Sequence, residues 1–458
     1  MEYETIAAIS TALSEGGIGI IRLSGDDSFK IADRIYRSKN MESNLLSFKT
    51  HTIHYGFICD GEKILDEVMV SVMKAPNTFT KENVVEINCH GGVLVCRKIL
   101  ELCIKNGARL AEPGEFTKRA FLNGRIDLSE AEAVMDLISS KNNSALSNSV
   151  NHLKGRLYDK IRDFRERILY ETAFIESALD DPEHISLDGY PEKLSITVDS
   201  LIDEIGSLYD TFEKGRFLKE GINTVIVGKP NVGKSSLLNV LTGYERAIVT
   251  DVAGTTRDTI EEQITINNIS LNLFDTAGIR ETGDKVENIG VERSKAYIKK
   301  ADLVLFTIDS STEITEEDSE SASLLKDKKV LVILNKADKE PVLTDSDLSF
   351  LSGHPVVRIS AKEGSGIEEL ESKIEDMFLK GEISSDNEIF ITNIRQAAEL
   401  KNVLGSLNLV KDSLAKGLPE DFYSIDLSNA YSGLSRIIGE NIDDDLVNEI
   451  FSKFCMGK

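Results

Sequence analysis

The sequence is poor in cysteine and histidine, and neither residue is grouped as metal or disulfide chemistry requires. Five cysteines and six histidines occur in 458 residues, and no two cysteines form a Cys-x-x-Cys pair. An odd number of scattered cysteines is typical of reduced thiols, so we expect a cytoplasmic protein. Cys96 and Cys103 lie about two helical turns apart, and we expect them in a hydrophobic core.

Long apolar runs and an excess of basic residues are also missing. No apolar run reaches the ~18 residues that a membrane helix needs, so we expect no membrane span. The first residues, Met1–Thr5, are acidic where a signal peptide would be basic. The chain carries 53 Lys and Arg against 77 Asp and Glu, a net charge of −24. Contact with nucleic acid must therefore be local, and a basic protein partner suits this charge at least as well.

The length and the order of the predicted elements indicate several domains. At 458 residues the chain exceeds a typical single domain. Residues 1–118 alternate strand and helix patterns, as an α+β domain does. Helical patterns at 119–215 and 380–458 flank a nucleotide domain at 216–379. We predict a multidomain α/β protein in which a doubly wound P-loop domain is inserted into a helical bundle domain.

Two charged residues interrupt apolar strand patterns in the first of these segments. Arg22 lies in the run Ile18–Leu23, and Glu86 lies in Val84–Cys89. Charged residues are rare at such positions. A structural ion pair, an edge-strand position and a functional role all remain open from the residues alone.

The segment Gly228-Lys-Pro-Asn-Val-Gly-Lys-Ser235 matches a phosphate-binding loop in the context that such a loop needs. It follows a β-branched run, Ile222–Val227, and precedes a helical run, Ser236–Leu241. Its glycines permit a tight turn of backbone amides, and the helix N-terminus adds partial positive charge. We expect Lys234 to reach the β- and γ-phosphates and Ser235 to bind Mg²⁺. Further predicted nucleotide contacts are Asn231, Val232, Gly233 and Ser236.

The segment Asn335-Lys-Ala-Asp338 follows another buried run, Val330–Leu334, and predicts the base. The Asp338 carboxylate can accept hydrogen bonds from N1–H and N2–H of guanine, whereas adenine would present a lone pair to it. A site built on such bonds discriminates by about 10⁴ or more. We expect Lys336 to cover the base and Ser360-Ala361 to contact its O6, so the predicted ligand is GTP.

Asp275-Thr-Ala-Gly278 follows a predicted hairpin and supplies the remaining phosphate contacts. We expect Asp275 to hold Mg²⁺ through water and the Gly278 amide to meet the γ-phosphate. Small signalling GTPases place a glutamine directly after this glycine, but here Ile279 cannot hydrogen-bond to water. Another group must orient the attacking water, and another positive charge must stabilise the transition state. Candidates are Arg280, Glu281, Asp284 and Glu287.

Two helical predictions concern the segment before the phosphate loop. Ser129-Glu-Ala-Glu132 matches a capping box and predicts a helix start. From Leu146 to Ile175 apolar residues recur at steps of three, four or seven, which predicts one long amphipathic helix. A solvated face or a local RNA-binding patch would each explain its basic opposite face. The basic residues are Lys154, Arg156, Lys160, Arg162, Arg165 and Arg167.

Three further motifs carry a family resemblance. They are Gly16-Gly-Ile-Gly-Ile-Ile-Arg22, Glu112-Pro-Gly-Glu-Phe-Thr-Lys-Arg-Ala-Phe121 and Phe454-Cys-Met-Gly-Lys458. The nucleotide motifs resemble those of Era-like GTPases, and with these flanks the sequence is similar to the tRNA modification GTPase family MnmE, also called TrmE. The similarity covers essentially the whole chain, and it is specific because other Era-like GTPases lack both flanks.

The resemblance implies a role for each segment. Residues 1–118 would dimerise the protein and bind a tetrahydrofolate derivative, 5-formyl- or 5,10-methylene-tetrahydrofolate, as a one-carbon donor. The helical domain, 119–215 and 380–458, would carry the GTPase domain. A basic-surfaced, FAD-dependent partner would join it, and together they would add an aminomethyl or carboxymethylaminomethyl group at C5 of the wobble uridine of certain tRNAs.

The resemblance also implies roles for single residues. Glu287 would orient water, and Thr256 would join Ser235 at Mg²⁺. A potassium ion would supply the charge that other systems take from an arginine, and dimerisation of the GTPase domains would stimulate hydrolysis. Cys455 matches a family cysteine whose role stays open, although the usual burial of free cysteine favours a buried structural thiol. The implied potassium ligands are Asn231, Thr250, Val252 and Thr255, and the implied folate contacts are Arg22, Glu86, Arg125 and Lys458.

An alternative function is that of an Era-like GTPase switch in ribosome assembly, which transfers no carbon. The N-terminal segment distinguishes the two. A ribosome-assembly protein would carry an RNA-binding appendage with basic or aromatic stretches and would need no folate pocket.

Overall fold

The computed structural model describes residues 4–40, 45–244, 262–266, 269–274, 296–325, 328–344, 347–379 and 389–457. The chain divides into two units. One contains Met1–Met135, Leu157–Leu169 and Tyr431–Lys458, and the other contains Asp136–Arg156 and Tyr170–Ala430. None of the helices in the described ranges combines the length and the apolar character that crossing a membrane requires.

The first unit contains a seven-stranded sheet with the order β3-β4-β5-β6-β2-β1-β7. All neighbours pair antiparallel except β1 and β7. The two apolar runs that showed strand patterns, Ile18–Leu23 and Val84–Cys89, lie within strands β2 and β6, and β4 and β5 form a hairpin around Asp60-Gly61. The strands are β1 (Ile6–Ile9), β2 (Gly16–Ser24), β3 (Tyr36–Ser38), β4 (Thr52–Asp60), β5 (Lys63–Met73), β6 (Val84–Gly91) and β7 (Arg109–Leu110). Two helices, α1 (Ser28–Ile35) and α2 (Val93–Lys105), join its core.

Alternation along the strands decides which face of this sheet is buried. Val68, Val70 and Val72 of β5 are at most 2% exposed and belong to the core that includes both helices. Successive strand residues face opposite sides, and Met69, between two of these valines, is 45% exposed. The second face of the sheet therefore carries accessible side chains.

The predicted capping box was placed two residues too late. Helix α4 (Leu128–Ser139) follows α3 (Glu115–Leu122), and its first amides bond to Asp127 rather than to Ser129. The Oδ1 atom of Asp127 accepts from the backbone N–H groups of Ser129 and Glu130, and the Asp127 N–H donates to Glu130 Oε2 at 2.9 Å. Serine and aspartate are both good N-caps, and here the earlier residue takes that position.

The single long helix predicted from Leu146 to Ile175 is also wrong. Helix α5 (Asn143–Leu153) ends before Lys154, and α6 (Arg156–Asp180) begins after Gly155, whose φ of +75° leaves the helical region. A break of two residues still places apolar residues at steps of three, four or seven, so the periodicity did not detect it. The next helix is α7 (Tyr190–Glu220).

Three of the six residues on the basic face predicted for this segment have acidic partners. Arg165 is 9% exposed and donates to Glu440 at 3.0 Å. Arg162 pairs with Asp159 on the same helix, and Arg167 likewise has an aspartate partner. These contacts favour a structural and solvated face over an RNA-binding patch.

The second unit contains a six-stranded sheet with the order β13-β12-β11-β8-β10-β9. All pairs are parallel except the hairpin of β9 and β10. Helices lie among the core residues on both of its faces, so the predicted doubly wound, mostly parallel sheet is confirmed. Its strands are β8 (Ile222–Val227), β9 (Glu262–Ile266), β10 (Ile269–Phe274), β11 (Leu303–Asp309), β12 (Lys329–Asn335) and β13 (Val356–Arg358). Described helices of this unit include α8 (Lys234–Tyr244), α9 (Glu316–Ser323), α10 (Ile367–Leu379) and α11 (Ile394–Ala415). Helix α12 (Glu420–Ile438) has residues in both units, and α13 (Asp444–Ser452) belongs to the first.

The central strand β11 shows why these strands read as continuous apolar runs. Leu303 and Leu305 belong to the core on one face, whereas Val304 and Phe306 belong to the core on the other. A strand covered on both faces needs no polar alternation. The polar residues that follow it must therefore lie at the carboxyl edge of the sheet.

Helix α5 holds the two chain segments that lead into and out of this unit's sheet. The Asn148 side chain donates to Phe390 O at 3.1 Å and accepts from Phe390 N at 3.0 Å. The Asn142 side chain donates to Leu218 O at 3.0 Å. Both asparagines are buried, so these backbone groups depend on them for hydrogen bonds.

Replacing Asn148 by alanine should lower stability markedly. The change leaves the buried N–H of Phe390 without its partner, at about 1–3 kcal/mol, and removes one of the bonds to its carbonyl oxygen. Urea unfolding followed by circular dichroism should show a lower midpoint than in the wild type. Asn408→Ala removes only an exposed bond to Leu404 O and serves as the control; equal midpoints for the two variants would contradict this account.

Candidate nucleotide-binding site

The phosphate loop has the backbone geometry that its glycines predict. Gly228 follows β8 with φ +151°, and Gly233 precedes α8 with φ +100°. A Cβ atom on Gly233 would lie 2.2 Å from Asn335 Nδ2, and one on Gly228 would lie 2.2 Å from Thr307 O. Only glycine therefore allows the loop to approach the ends of β11 and β12 so closely.

Lys234 places its ammonium group within this loop. Its Nζ donates to Gly228 O at 2.7 Å and to Lys229 O at 2.9 Å. Because α8 begins at Lys234, the first amides of the helix also lack partners within it. A cation and the backbone amides of a helix N-terminus together suit a phosphate group.

Asn335 joins the phosphate loop to two other loops. Its Nδ2 donates to Val232 O at 2.8 Å, and its Oδ1 accepts from Lys336 N at 2.8 Å and Ala361 N at 3.0 Å. The side chain is 2% exposed. The geometry thus gives Asn335 a role in assembling the site, which the sequence did not distinguish from contact with the base.

Lys336 lies across the phosphate loop. Its φ is +66°, and its Nζ donates to Asn231 O at 2.8 Å and to Asp309 Oδ2 at 2.6 Å. Burial opposes the ionised form of Asp309, but hydrogen bonds from Lys336 and Ser311 outweigh it and lower the pKa of this carboxyl group. Asp309 was not among the site residues predicted from the sequence, although a carboxylate at the end of a buried strand was a usable signal.

Asp338 is an exposed carboxylate with a fixed orientation. Ser360 Oγ donates to Asp338 Oδ1 at 2.6 Å, and this bond holds the pKa of Asp338 below its usual value. The group is therefore ionised at neutral pH and keeps acceptor capacity, as a guanine edge requires. Ala361 follows Ser360 in the chain and is buried, and its N–H donates to Asn335 Oδ1.

A cavity of ≈ 640 Å³ lies beside the phosphate loop. Its lining joins residues of that loop to the segments that follow β11 and β12. It includes Lys229, Pro230, Asn231, Val232, Asp309 and Lys336. The space is of the size usual for small-molecule sites.

Several predicted site residues lie outside the described residues. They are Thr250, Val252, Thr255, Thr256, Asp275, Gly278, Glu287 and Lys458. Of the predicted metal ligands, only Asn231 and Ser235 are described, and both are exposed. Among the described residues, no cluster of three or more His, Cys, Asp or Glu could hold a metal ion.

Arg22 and Glu86 form an ion pair on the first sheet. They are cross-strand neighbours on β2 and β6, and Arg22 Nε donates to Glu86 Oε1 at 2.8 Å. Arg22 Nη1 also donates to Gly457 O at 3.3 Å, next to Lys458 in the chain. The third implied folate residue, Arg125, lies over the Phe79 ring at 5.1 Å. The side chains of Arg22 and Glu86 remain 19% and 23% exposed, so the pair is accessible.

The cysteines behave as predicted except at the C-terminus. Cys96 and Cys103 are buried in the first core, as expected. Burial raises the pKa of the Cys103 thiol to about 12, so it stays protonated and unreactive. Cys455 is exposed, so the predicted buried structural thiol is wrong.

Comparison with known families identifies both flanks. Residues 5–125 match the family described as GTP-binding protein TrmE N-terminus, and residues 128–455 match the MnmE helical domain. The chain belongs to the MnmE family. It is 53% identical over 458 residues to the tRNA modification GTPase MnmE of Lachnoclostridium phytofermentans, with 100% of each chain covered. It is 49% identical to the protein of that name from Acetivibrio thermocellus, with 99% of each covered.

The nucleotide unit also resembles solved GTPase structures. An Era variant of Aquifex aeolicus bound to GDP·AlF₄⁻ is 30% identical and covers 41% of this chain and 67% of its own, with a TM-score of 0.28. The assignment rests on the MnmE family matches and not on this low score. The chain is a GTPase of the MnmE family with an N-terminal TrmE domain, a helical domain and a nucleotide domain of mixed α/β structure.

Replacing Asp338 by asparagine should change the base preference. The amide cannot accept two hydrogen bonds from guanine, but it can donate to the C2 carbonyl of xanthine. We expect GDP affinity to fall at least about tenfold and XDP affinity to rise, measured by titration calorimetry. Glu340→Gln, which removes an exposed carboxylate nearby, is the control. An unchanged preference for GDP in Asp338→Asn would rule out this carboxylate as the base contact.

Proposed function

We propose that this GTPase acts in the cytoplasm on tRNA and, with an FAD-dependent partner, adds an aminomethyl or carboxymethylaminomethyl group at C5 of the wobble uridine. A tetrahydrofolate derivative would supply the one-carbon unit. The main support is the pair of family matches, because they extend over both flanks of the nucleotide domain and not over that domain alone. The curated relatives carry the name tRNA modification GTPase. The net charge of −24 suits a basic-surfaced partner.

The same matches weigh against a ribosome-assembly switch. That alternative predicts an RNA-binding appendage, whereas residues 5–125 match the TrmE N-terminal family. The ion pair of Arg22 and Glu86 offers donors and acceptors side by side on a partly exposed strand surface. This chemistry suits the polar edge of a folate ring, and the resemblance adds Arg125 and Lys458 to the proposed site.

Formation of a homodimer through the N-terminal unit is part of the proposal. The residues that alternate with the buried ones on β4 and β5 include exposed apolar side chains: Ile53 at 62%, Tyr55 at 42% and Met69 at 45%. Tyr55 and Met69 are cross-strand neighbours. Such a patch is typical of an interaction surface, and by strand alternation and register Arg22 belongs to the same face.

For hydrolysis, the proposal keeps the assignments implied by the resemblance. Mg²⁺ would be bound by Ser235 and Thr256, and K⁺ by Asn231, Thr250, Val252 and Thr255. When bound, K⁺ would supply positive charge near the phosphates in place of an arginine. Asn231 is exposed within the phosphate loop and offers a hard carbonyl oxygen. Glu287 would orient water, since Ile279 has no polar group to do so.

Asn231→Ala should separate potassium dependence from nucleotide binding. The variant should bind GTP nearly as well as the wild type, because the backbone carbonyl of residue 231, which accepts from Lys336 Nζ, is retained. Its turnover in KCl should fall to the rate in NaCl, since a ligand of the cation is lost. Phosphate release in the two salts measures this, and an equal fractional loss in both would argue against the cation site.

Arg22→Met should weaken folate binding to the full-length protein. The change keeps much of the side-chain bulk but removes every donor of the guanidinium, so we expect at least about tenfold weaker binding of 5-formyltetrahydrofolate by equilibrium dialysis. Arg34→Met, whose guanidinium bonds to the exposed Asn106 O, is the control. A wild-type dimer that binds no folate would instead favour the ribosome-assembly alternative.

A further inference from the structure

Asp309, at the end of β11, and Ser310, which follows it, form hydrogen bonds to the base-recognition segment, Asn335–Asp338. Neither residue was among the site residues predicted from the sequence. Ser310 donates to Asn335 O through both its N–H, at 2.9 Å, and its Oγ, at 2.8 Å. Asp309 Oδ2 binds Lys336 Nζ at 2.6 Å. Three bonds therefore connect these two residues to Asn335 and Lys336, which are consecutive in the chain.

The Asp309 carboxylate is itself held in one orientation. Its Oδ1 accepts from Ser311 N at 3.0 Å and from Ser311 Oγ at 2.7 Å, which leaves Oδ2 for the lysine. The residue is 6% exposed. A buried carboxylate with both oxygens engaged is a rigid acceptor, and its hydrogen bond to an ammonium is of the strong, charge-assisted kind.

We propose that Asp309 is a positioning residue for guanine nucleotides, acting through Lys336. A lysine side chain has four flexible bonds and loses rotamer freedom when its ammonium is fixed. Here Asp309 on one side and Asn231 O on the other hold the ammonium across the phosphate loop. The lysine stem is then ordered before the nucleotide arrives, so binding does not have to order it.

The proposal rests on the nucleotide site proposed above, and it makes a distinct kinetic claim. The contact lies on the base side of the site, so its loss should weaken GDP and GTP equally. It should raise KM for GTP much more than it lowers kcat, because a preorganised binding contact acts alike in the ground and transition states. A residue that supported the γ-phosphate would instead lower kcat and affect GTP more than GDP.

The test uses Asp309→Asn in the full-length protein, with binding of fluorescent GDP and GTP analogues. We expect both dissociation constants to rise roughly tenfold or more. Asp347→Asn is the matched control, since Asp347 likewise accepts from a backbone N–H and a hydroxyl of one residue, Thr344, but no lysine bond is described for it. Circular dichroism checks folding. If Asp309→Asn does not fold, Asp309→Glu replaces it, with a smaller loss in the same direction expected.

A double-mutant cycle with Lys336→Met separates positioning from a structural role. Without the ammonium, Asp309→Asn should have almost no further effect on affinity, so the two losses should not add. Additive losses would mean that Asp309 only supports its turn, and wild-type affinity in Asp309→Asn would also overturn the proposal. If Asp338→Asn leaves GDP binding intact, the proposed nucleotide site is wrong. If Asp338→Asn weakens GDP binding but Asp309→Asn does not, the nucleotide site stands and only the proposed role of Asp309 is wrong.

Discussion

The nucleotide site depends on one buried amide. The side chain of Asn335 bonds to backbone groups of Val232, Lys336 and Ala361, which lie on three different loops. Each of these loops follows a different parallel strand, so nothing in local structure fixes their relative positions. The buried side-chain amide of Asn335 hydrogen-bonds to all three loops and so fixes their relative positions. Leaving any of these buried groups unpaired would destabilise the arrangement of the loops.

The same bond sets a steric condition on the phosphate loop. Asn335 approaches Gly233 so closely that a single added carbon would lie 2.2 Å from its Nδ2. The glycine of the phosphate motif and the asparagine of the base motif therefore depend on each other, although 101 intervening positions separate them. The parallel order of β8, β11 and β12 makes this approach possible by bringing their carboxyl ends to one edge.

Much of this arrangement could be predicted from the sequence because it is local. Three of its features are recognisable in windows of about ten residues. They are buried strands with apolar residues on both faces, a glycine loop before a helix, and short motifs at strand ends. What failed depended on finer choices: the N-cap of α4 at Asp127 rather than Ser129, and the helix break at Gly155 within an unbroken apolar period. Contacts between distant segments could not be assigned from local patterns: an ion pair of Arg22 with Glu86 stayed one of several alternatives, and the strand-end position of Asp309 did not identify Lys336 as its partner. The folate, potassium and partner assignments came only from family resemblance.

The account is tested most directly by comparing the affinities of the unmodified protein for GDP, IDP and ADP in one buffer. A site organised by Asn335 around an ionised Asp338 should bind GDP best. IDP, which lacks the 2-amino group, should bind more weakly, and ADP should bind weaker than GDP by about 10⁴. Similar dissociation constants for GDP and ADP would contradict the central claim that these loops assemble a guanine-specific site.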